Sequence, residues 1–280
     1  MESVIGTIIL IITGLFTYKG FRDSAYFERY KFEVDGILVH REWDRLLSSG
    51  FLHANWLHFG FNMIALLSFS WSLELLFGYG KFALLYFISL LGGSLLALFI
   101  HRNHGDYSAI GASGAVSGVV FASVVLFPEG AIGFVILPFE MPSWVFGLLF
   151  LLISIFGIKS QTGNIGHEAH LGGAITGVLA TLVIEPSVIW QNWWIILAIL
   201  VPTTAFLVLI VRNPSVLMID NYWGETVNTF SEQTGLSKRE KSRAEKEAEL
   251  DDLLEKIRTK GIKSLSKKER QRLDELRKEL

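Results

Sequence analysis

Four side chains in apolar surroundings could do chemistry in this sequence: Ser113, His170, His58 and Asn62. A serine hydroxyl is a weak nucleophile until a base takes its proton, and histidine is the usual base. Acyl transfer also needs donors aimed at the developing oxyanion. Backbone N–H groups at a helix start, a histidine and an asparagine amide all suit that task. No Asp or Glu is placed to orient the histidine as a third member, so the set reads as a Ser–His dyad rather than a triad. Ser113 stands in Gly111-Ala112-Ser113-Gly114, which opens the apolar run 115–126. Taken alone this is a packing motif, because small residues let membrane helices approach closely. The other three residues change that reading, and they do so through the elements that carry them.

Those elements are membrane spans. The chain has 280 residues, is 51% hydrophobic and has a mean hydropathy of +0.42. Its charge is unevenly spread: residues 46–211 hold only Lys81, Arg102 and Lys159 as Lys or Arg, whereas sixteen of the 25 lie from Arg212 onward. The net charge of −2 averages a membrane domain with a charged, water-facing tail and gives no sign of nucleic acid binding. With no cysteine, disulfide and thiolate chemistry are excluded. Seven apolar segments can be counted, at 3–18, 55–77, 82–101, 111–127, 131–157 (broken at Pro138 and Pro142), 167–185 and 190–211. The first has no basic n-region and no small-residue cleavage site before Lys19, so it reads as a retained span.

Successive spans alternate in direction, so the second, fourth and sixth enter from one side. His58 lies one turn into the second, with Asn62 one turn further on the same face. Ser113 and His170 lie a few residues into the fourth and sixth. At 1.5 Å per residue all four sit within about 5–10 Å of one membrane face. Gly114-xxx-Gly118 and Gly173-xxx-Gly177 form small faces that let the fourth and sixth spans meet backbone to backbone, which would bring Ser113 to His170.

In this combination the residues resemble the rhomboid intramembrane serine proteases. His58-Phe-Gly-Phe-Asn62 is similar to the family's H-x-x-x-N, and Glu74 with Gly78 to its E-x-x-x-G. Gly111-Ala112-Ser113-Gly114 resembles its G-x-S-G, and Ala169-His170-Leu171-Gly172-Gly173 its A-H-x-x-G. The resemblance covers residues 1–185 and implies Ser113 as nucleophile and His170 as general base. It implies an oxyanion-binding group of His58, Asn62, Gly111 and the Ser113 backbone N–H, with structural roles for Glu74, Gly114 and Gly173. The substrates it implies are single-span transmembrane proteins within the lipid bilayer, cut near the outer end of a helix that unwinds easily. No cofactor and no metal are expected. The loop 19–54 would be the family's lateral interfacial loop and the loop around Pro138 a lid. One departure is Ser117, where many members carry an aromatic that stacks on the catalytic histidine. A proteolytically inactive relative that binds and sorts membrane proteins is the alternative function, and the intact Ser113 and His170 argue against it. A transporter is a third, for which a midplane charge pair is lacking.

The remaining polar residues have blander readings. His53 reads as an interfacial side chain, and His101 and His104 as solvated loop residues. Glu74, at the far end of its span, should pair with backbone N–H groups or a loop cation. His167-Glu168-Ala169-His170 has a spacing that can hold a metal on one helix face, but it is not H-E-x-x-H, and the dyad already uses His170. The loop Lys19–Ala54 balances six basic against six acidic residues among many aromatics, and should be a structured piece at the membrane interface.

The expected fold is an all-α polytopic membrane helix bundle, with a six-helix core, a seventh span and a small C-terminal helical hairpin. The expected divisions are a catalytic domain at 1–187, an additional transmembrane helix at 188–212, a linker at 213–235 and a charged helical tail at 236–280. Two capping boxes, Ser237–Glu240 and Ser266–Glu269, start the tail helices, and Gly261 stops the first. The resemblance places the dyad toward the extracytoplasmic face, in a bacterial inner (plasma) membrane. Seven spans then put the tail outside with it, against the pull of its basic residues.

Overall fold

In the computed structural model, residues 3–133, 140–160 and 166–212 are described, together with Lys256 and Leu273, both helical. The chain divides into two compact units, Met1–Gly224 and Glu225–Leu280. The expected linker and tail hairpin, apart from those two residues, lie outside the described residues, as does Pro138.

The apolar segments are helices. They are α1 (Val4–Arg22), α5 (Trp56–Phe77), α6 (Tyr79–His101), α7 (Ser113–Leu126), α8 (Ser143–Ser160), α9 (His167–Ile184) and α11 (Trp193–Arg212). Five of them, α1, α5, α6, α9 and α11, are long and apolar enough to cross a membrane, while α7 and α8 are shorter apolar helices. Their caps follow from the sequence. Asn55 accepts a hydrogen bond from the His58 N–H (2.8 Å) and starts α5. Gly78, at φ 78°, ends α5 and turns directly into α6, a backbone state that costs glycine nothing. α8 begins just after Pro142, one of the two prolines that break the fifth apolar segment. Before it, β3 (Ala131–Gly133) and β4 (Glu140–Pro142) pair antiparallel, and Glu140 is exposed.

Glu74 behaves as a buried carboxylate must. It accepts from Ser3 Oγ (2.5 Å), Val4 N (2.8 Å) and Gly6 N (2.9 Å), which closes the open N-terminus of α1 and ties it to α5.

The loop between α1 and α5 is folded. It comprises α2 (Ser24–Tyr30), β1 (Phe32–Glu33), α3 (Val34–Leu38), α4 (Arg45–Ser48) and a 3₁₀ turn at Ser49–Phe51. Phe32, Val34, Ile37 and Leu46 form a small core with Ala97 and Leu98 of α6. Arg45 is buried in it, donating to the Glu28 and Lys31 carbonyls (both 2.8 Å) and to Glu42 Oε2 (2.6 Å). β1 pairs with β2 (Ser108–Ala109), which fixes the segment leading into α7.

Glycines set the spacing of α6, α7 and α9. A methyl added at Gly173 would overlap the Gly114 carbonyl, and one at Gly177 would overlap the backbone of Gly118. These are the two faces expected to meet. α6 joins them: a Cβ at Gly93 would lie 2.6 Å from the Ala169 carbonyl oxygen, and one at Gly172 would lie 2.6 Å from that of Gly92. Membrane helices gain little from burying apolar surface against each other, so backbone-close van der Waals packing carries such a core.

The seventh helix is part of this bundle. Ile195, Ile199, Phe206 and Ile210 are buried in the same core cluster, and Trp194 stacks edge-on to Trp144 at 6.1 Å. Just before α11, after the short α10 (Val188–Gln191), Asn192 donates to the Val125 and Leu126 carbonyls (2.8 and 3.2 Å). Those carbonyls have no partner within α7, because they close its last turn.

Candidate active site

A cavity of about 650 Å³ is lined by Ser113, His170, His58, Asn62, Gly111, Gly114 and Ser117, with Phe61 and Ala65 of α5 and Phe146 and Phe150 of α8. The structure therefore brings together residues from α5, α7 and α9 that lie far apart in sequence. Each stands near the same end of its helix: Ser113 is the first residue of α7, His58 the third of α5 and His170 the fourth of α9. Glu74 and the Gly173 contact with α7 stand away from the cavity, in the packing that holds it.

Gly111 fixes the relation between Ser113 and the His58 ring. Its φ of 126° belongs to glycine, and a Cβ there would lie 3.1 Å from His58 Nε2 and 3.8 Å from Ser113 Oγ. Imidazole and hydroxyl thus border the same small volume, open only because residue 111 has no side chain. Gly111 N donates to the Ser49 carbonyl (3.0 Å), which anchors the turn to the folded loop. Asn62 is buried, lines the cavity and donates one of its two amide hydrogens to the His58 carbonyl (3.0 Å). Ser113 and His170 share the cavity without a hydrogen bond between them among the described residues. In unliganded sites such bonds are often long and tighten with substrate.

At position 117 the serine hydroxyl donates to the Ser113 carbonyl (2.7 Å). The aromatic neighbour of His170 comes from another helix: the Phe150 ring lies 5.7 Å from it, tilted by 39°, and His167 stands edge-on at 5.8 Å. Sequence reading could not name Phe150, because one Phe among many in an apolar helix carries no mark of its partner.

Two sequence readings are corrected. His53 is fully buried rather than interfacial. Its Nε2 accepts from the Ala112 N–H (3.4 Å) and its Nδ1 faces Thr17 Oγ1 (3.0 Å), which donates to the Phe51 carbonyl (3.0 Å). This chain is consistent only with a neutral ring protonated on Nδ1. Burial, and secondly the neighbouring His58 ring 5.0 Å away, push His53 down to about 3. The turn before Ser113 is therefore held by a histidine. His101 is likewise buried, not solvated, and its Nε2 lies 3.1 Å from Glu168 Oε1.

The expected lid around Pro138, residues 134–139, lies outside the described residues. β3 and β4, which flank Pro138, follow the end of α7 remote from Ser113.

Comparison with known proteins follows the same residues. Residues 40–187, more than half of the chain, match the family model described as Rhomboid domain. Residues 236–279 match a family of unknown function. Rhomboid protein 1, mitochondrial, of Saccharomyces cerevisiae is 35% identical over 137 residues, covering 48% of this chain and 40% of that protein. RHOMBOID-like protein 4 of Arabidopsis thaliana is 35% identical over 163 residues, covering 57% and 39%. Rhomboid protease GluP of Bacillus subtilis is 29% identical over 146 residues, covering 52% and 27%. The chain thus spans well under half the length of these relatives.

Proposed function

The chain belongs to the rhomboid family, and on that premise we propose that it is an intramembrane serine endopeptidase with Ser113 as nucleophile and His170 as general base. Ser113 Oγ attacks the scissile carbonyl as His170 takes the hydroxyl proton. His170 then returns that proton to the leaving amine, and the acyl-enzyme is hydrolysed by water that His170 activates in turn. The negative charge on the tetrahedral oxygen is met by His58, the free amide hydrogen of Asn62 and the Ser113 N–H in the first turn of α7. The substrates are transmembrane segments whose ends unwind into the cavity, since a helical peptide bond hides its carbonyl within the helix.

One observation carries the reading: the shared cavity of Ser113, His170, His58 and Asn62, with Gly111 leaving room between the His58 ring and the Ser113 hydroxyl. The relatives bear mitochondrial, plant and bacterial names, so membership goes with a multi-pass membrane protein rather than with one compartment. The test is cleavage of a model single-span substrate in detergent, alongside labelling by a serine-reactive fluorophosphonate. Ser113→Ala and His170→Ala should each abolish both. Unchanged cleavage in Ser113→Ala removes the mechanism, and a wild-type chain that binds the substrate without label or cleavage is an inactive, sorting relative.

A further inference from the structure

Glu168 lies two residues from His170, yet it faces away from the cavity, because two helical steps turn a side chain through about 200°. It is buried, and an isolated buried carboxylate is costly unless hydrogen-bonded and paired. Its partners come from two other parts of the chain. His101 Nε2, on the last residue of α6, lies 3.1 Å from Oε1, and the Tyr107 hydroxyl donates to Oε2 at 3.4 Å. The His101 and Tyr107 rings stack at 3.5 Å and 6°, and His104 Nδ1 stands 3.3 Å from His101 Nδ1. The carboxylate sits in the first turn of α9 and the imidazole in the last turn of α6, where the two helix dipoles favour a negative and a positive charge respectively.

We propose that Glu168 is a positioning residue, whose carboxylate sets the rotation of α9, and so the aim of His170, against the segment that delivers Ser113. The inference rests on the dyad reading. Tyr107 stands on that segment, five residues before Ala112, and its carbonyl accepts from Val34 N (3.2 Å) in the folded loop. One carboxylate therefore grips both limbs of the dyad: the helix carrying the base, from its opposite face, and the strand and turn leading to the nucleophile. Glycine contacts fix how closely α9 approaches α7, but smooth glycine faces resist rotation poorly. A directional hydrogen-bonded pair at the helix start supplies that restraint. The third member explains why the pair is a carboxylate with two partners rather than a simple apolar contact.

The experiment measures turnover per fluorophosphonate-titrated serine, so that loss of folded protein is divided out, together with the labelling rate and KM. Glu168→Ala should lower kcat per titrated site by up to about 10²-fold, the cost of a misplaced catalytic group, and leave KM within about twofold. Labelling should slow in parallel. Glu168→Gln, which keeps the shape and one acceptor for His101, should recover most of the rate. Tyr107→Phe, which keeps the ring stack and removes one hydrogen bond, should cost about threefold to tenfold in kcat. If Glu168→Ala does not fold, Glu168→Gln and Tyr107→Phe carry the same comparison. Wild-type turnover per titrated site in these variants, even with a lowered melting temperature, overturns the proposal and leaves a structural hydrogen-bonded pair. A wild-type chain that takes no label overturns the dyad reading, and the positioning role with it.

Discussion

Asn62 shows how chemistry and structure share one side chain. Its amide donates to the His58 carbonyl (3.0 Å) and it lines the cavity, so on the proposed mechanism Asn62→Ala removes one of several oxyanion donors and not the nucleophile. The expected loss in kcat is about 10²–10³-fold with cleavage still measurable, because one such donor is worth that much. A complete loss equal to that of Ser113→Ala would assign Asn62 a different role. His53 yields a second outcome at this scale. Its native pKa, about 3, lies below the usual 6.5, so between those values the unfolded chain binds a proton that the native chain does not. Stability from this group is therefore complete above pH 6.5 and is lost as pH falls toward 3, by about 1.4 kcal/mol per pH unit. Melting temperatures in detergent from pH 7 to 4 should fall more steeply for the wild type than for His53→Gln, and parallel curves would sink the assignment. Ser113, His170, His58 and Asn62 were legible because polar groups inside apolar blocks are costly and therefore conspicuous. His53 was not. It precedes its helix in a polar loop, and only the folding of that loop over Thr17 and Ala112 buries it.

At the scale of elements, the bundle depends on where backbone meets backbone. Gly173 is in overlap distance of the Gly114 carbonyl, so Gly173→Ala must push α9 from α7 one turn beyond His170. Overpacking of this kind costs about 1–3 kcal/mol, and here it also moves His170 relative to Ser113. The variant should lose activity beyond what its lowered melting temperature explains. Gly80→Ala is the matched control: a methyl there meets nothing within 4 Å, and alanine favours the helix over glycine by up to about 1 kcal/mol. It should be neutral or slightly stabilising, with unchanged kcat, and equal damage by both substitutions would mean that glycine flexibility rather than close approach matters. The Gly114/Gly118 and Gly173/Gly177 faces were readable because their spacing of four repeats on one helix side. The share of α6 was not read, since Gly92 and Gly93 are adjacent and show no such period. The Phe150 neighbour of His170 was equally hidden, because a helix pattern states which face is apolar and not which residue on another helix it meets.

Among the described residues, seven apolar helices and one shared end decide the topology. α5, α7 and α9 all start at the site, so α1 ends there and α11 ends there as well, carrying Arg212 to the side opposite the N-terminus. The basic residues from Arg212 onward pull the other way, toward the cytoplasm if the N-terminus lies there. Two arguments favour parity. Long segments cross membranes largely without regard to charge. α11 is also packed into the bundle through Ile195, Ile199 and Phe206 and latched by Asn192 to the end of α7, which a helix lying on the surface could not achieve. The chain has no cysteine, so single-cysteine variants report sidedness without background. Val39→Cys in the folded loop and Arg212→Cys at the end of α11 should react with an impermeant maleimide from one side of sealed vesicles. Glu129→Cys, after the far end of α7, should react only from the other. Labelling of Arg212→Cys together with Glu129→Cys would mean that α11 turns back within the membrane, and the basic residues rather than the helix count would then set where the chain emerges.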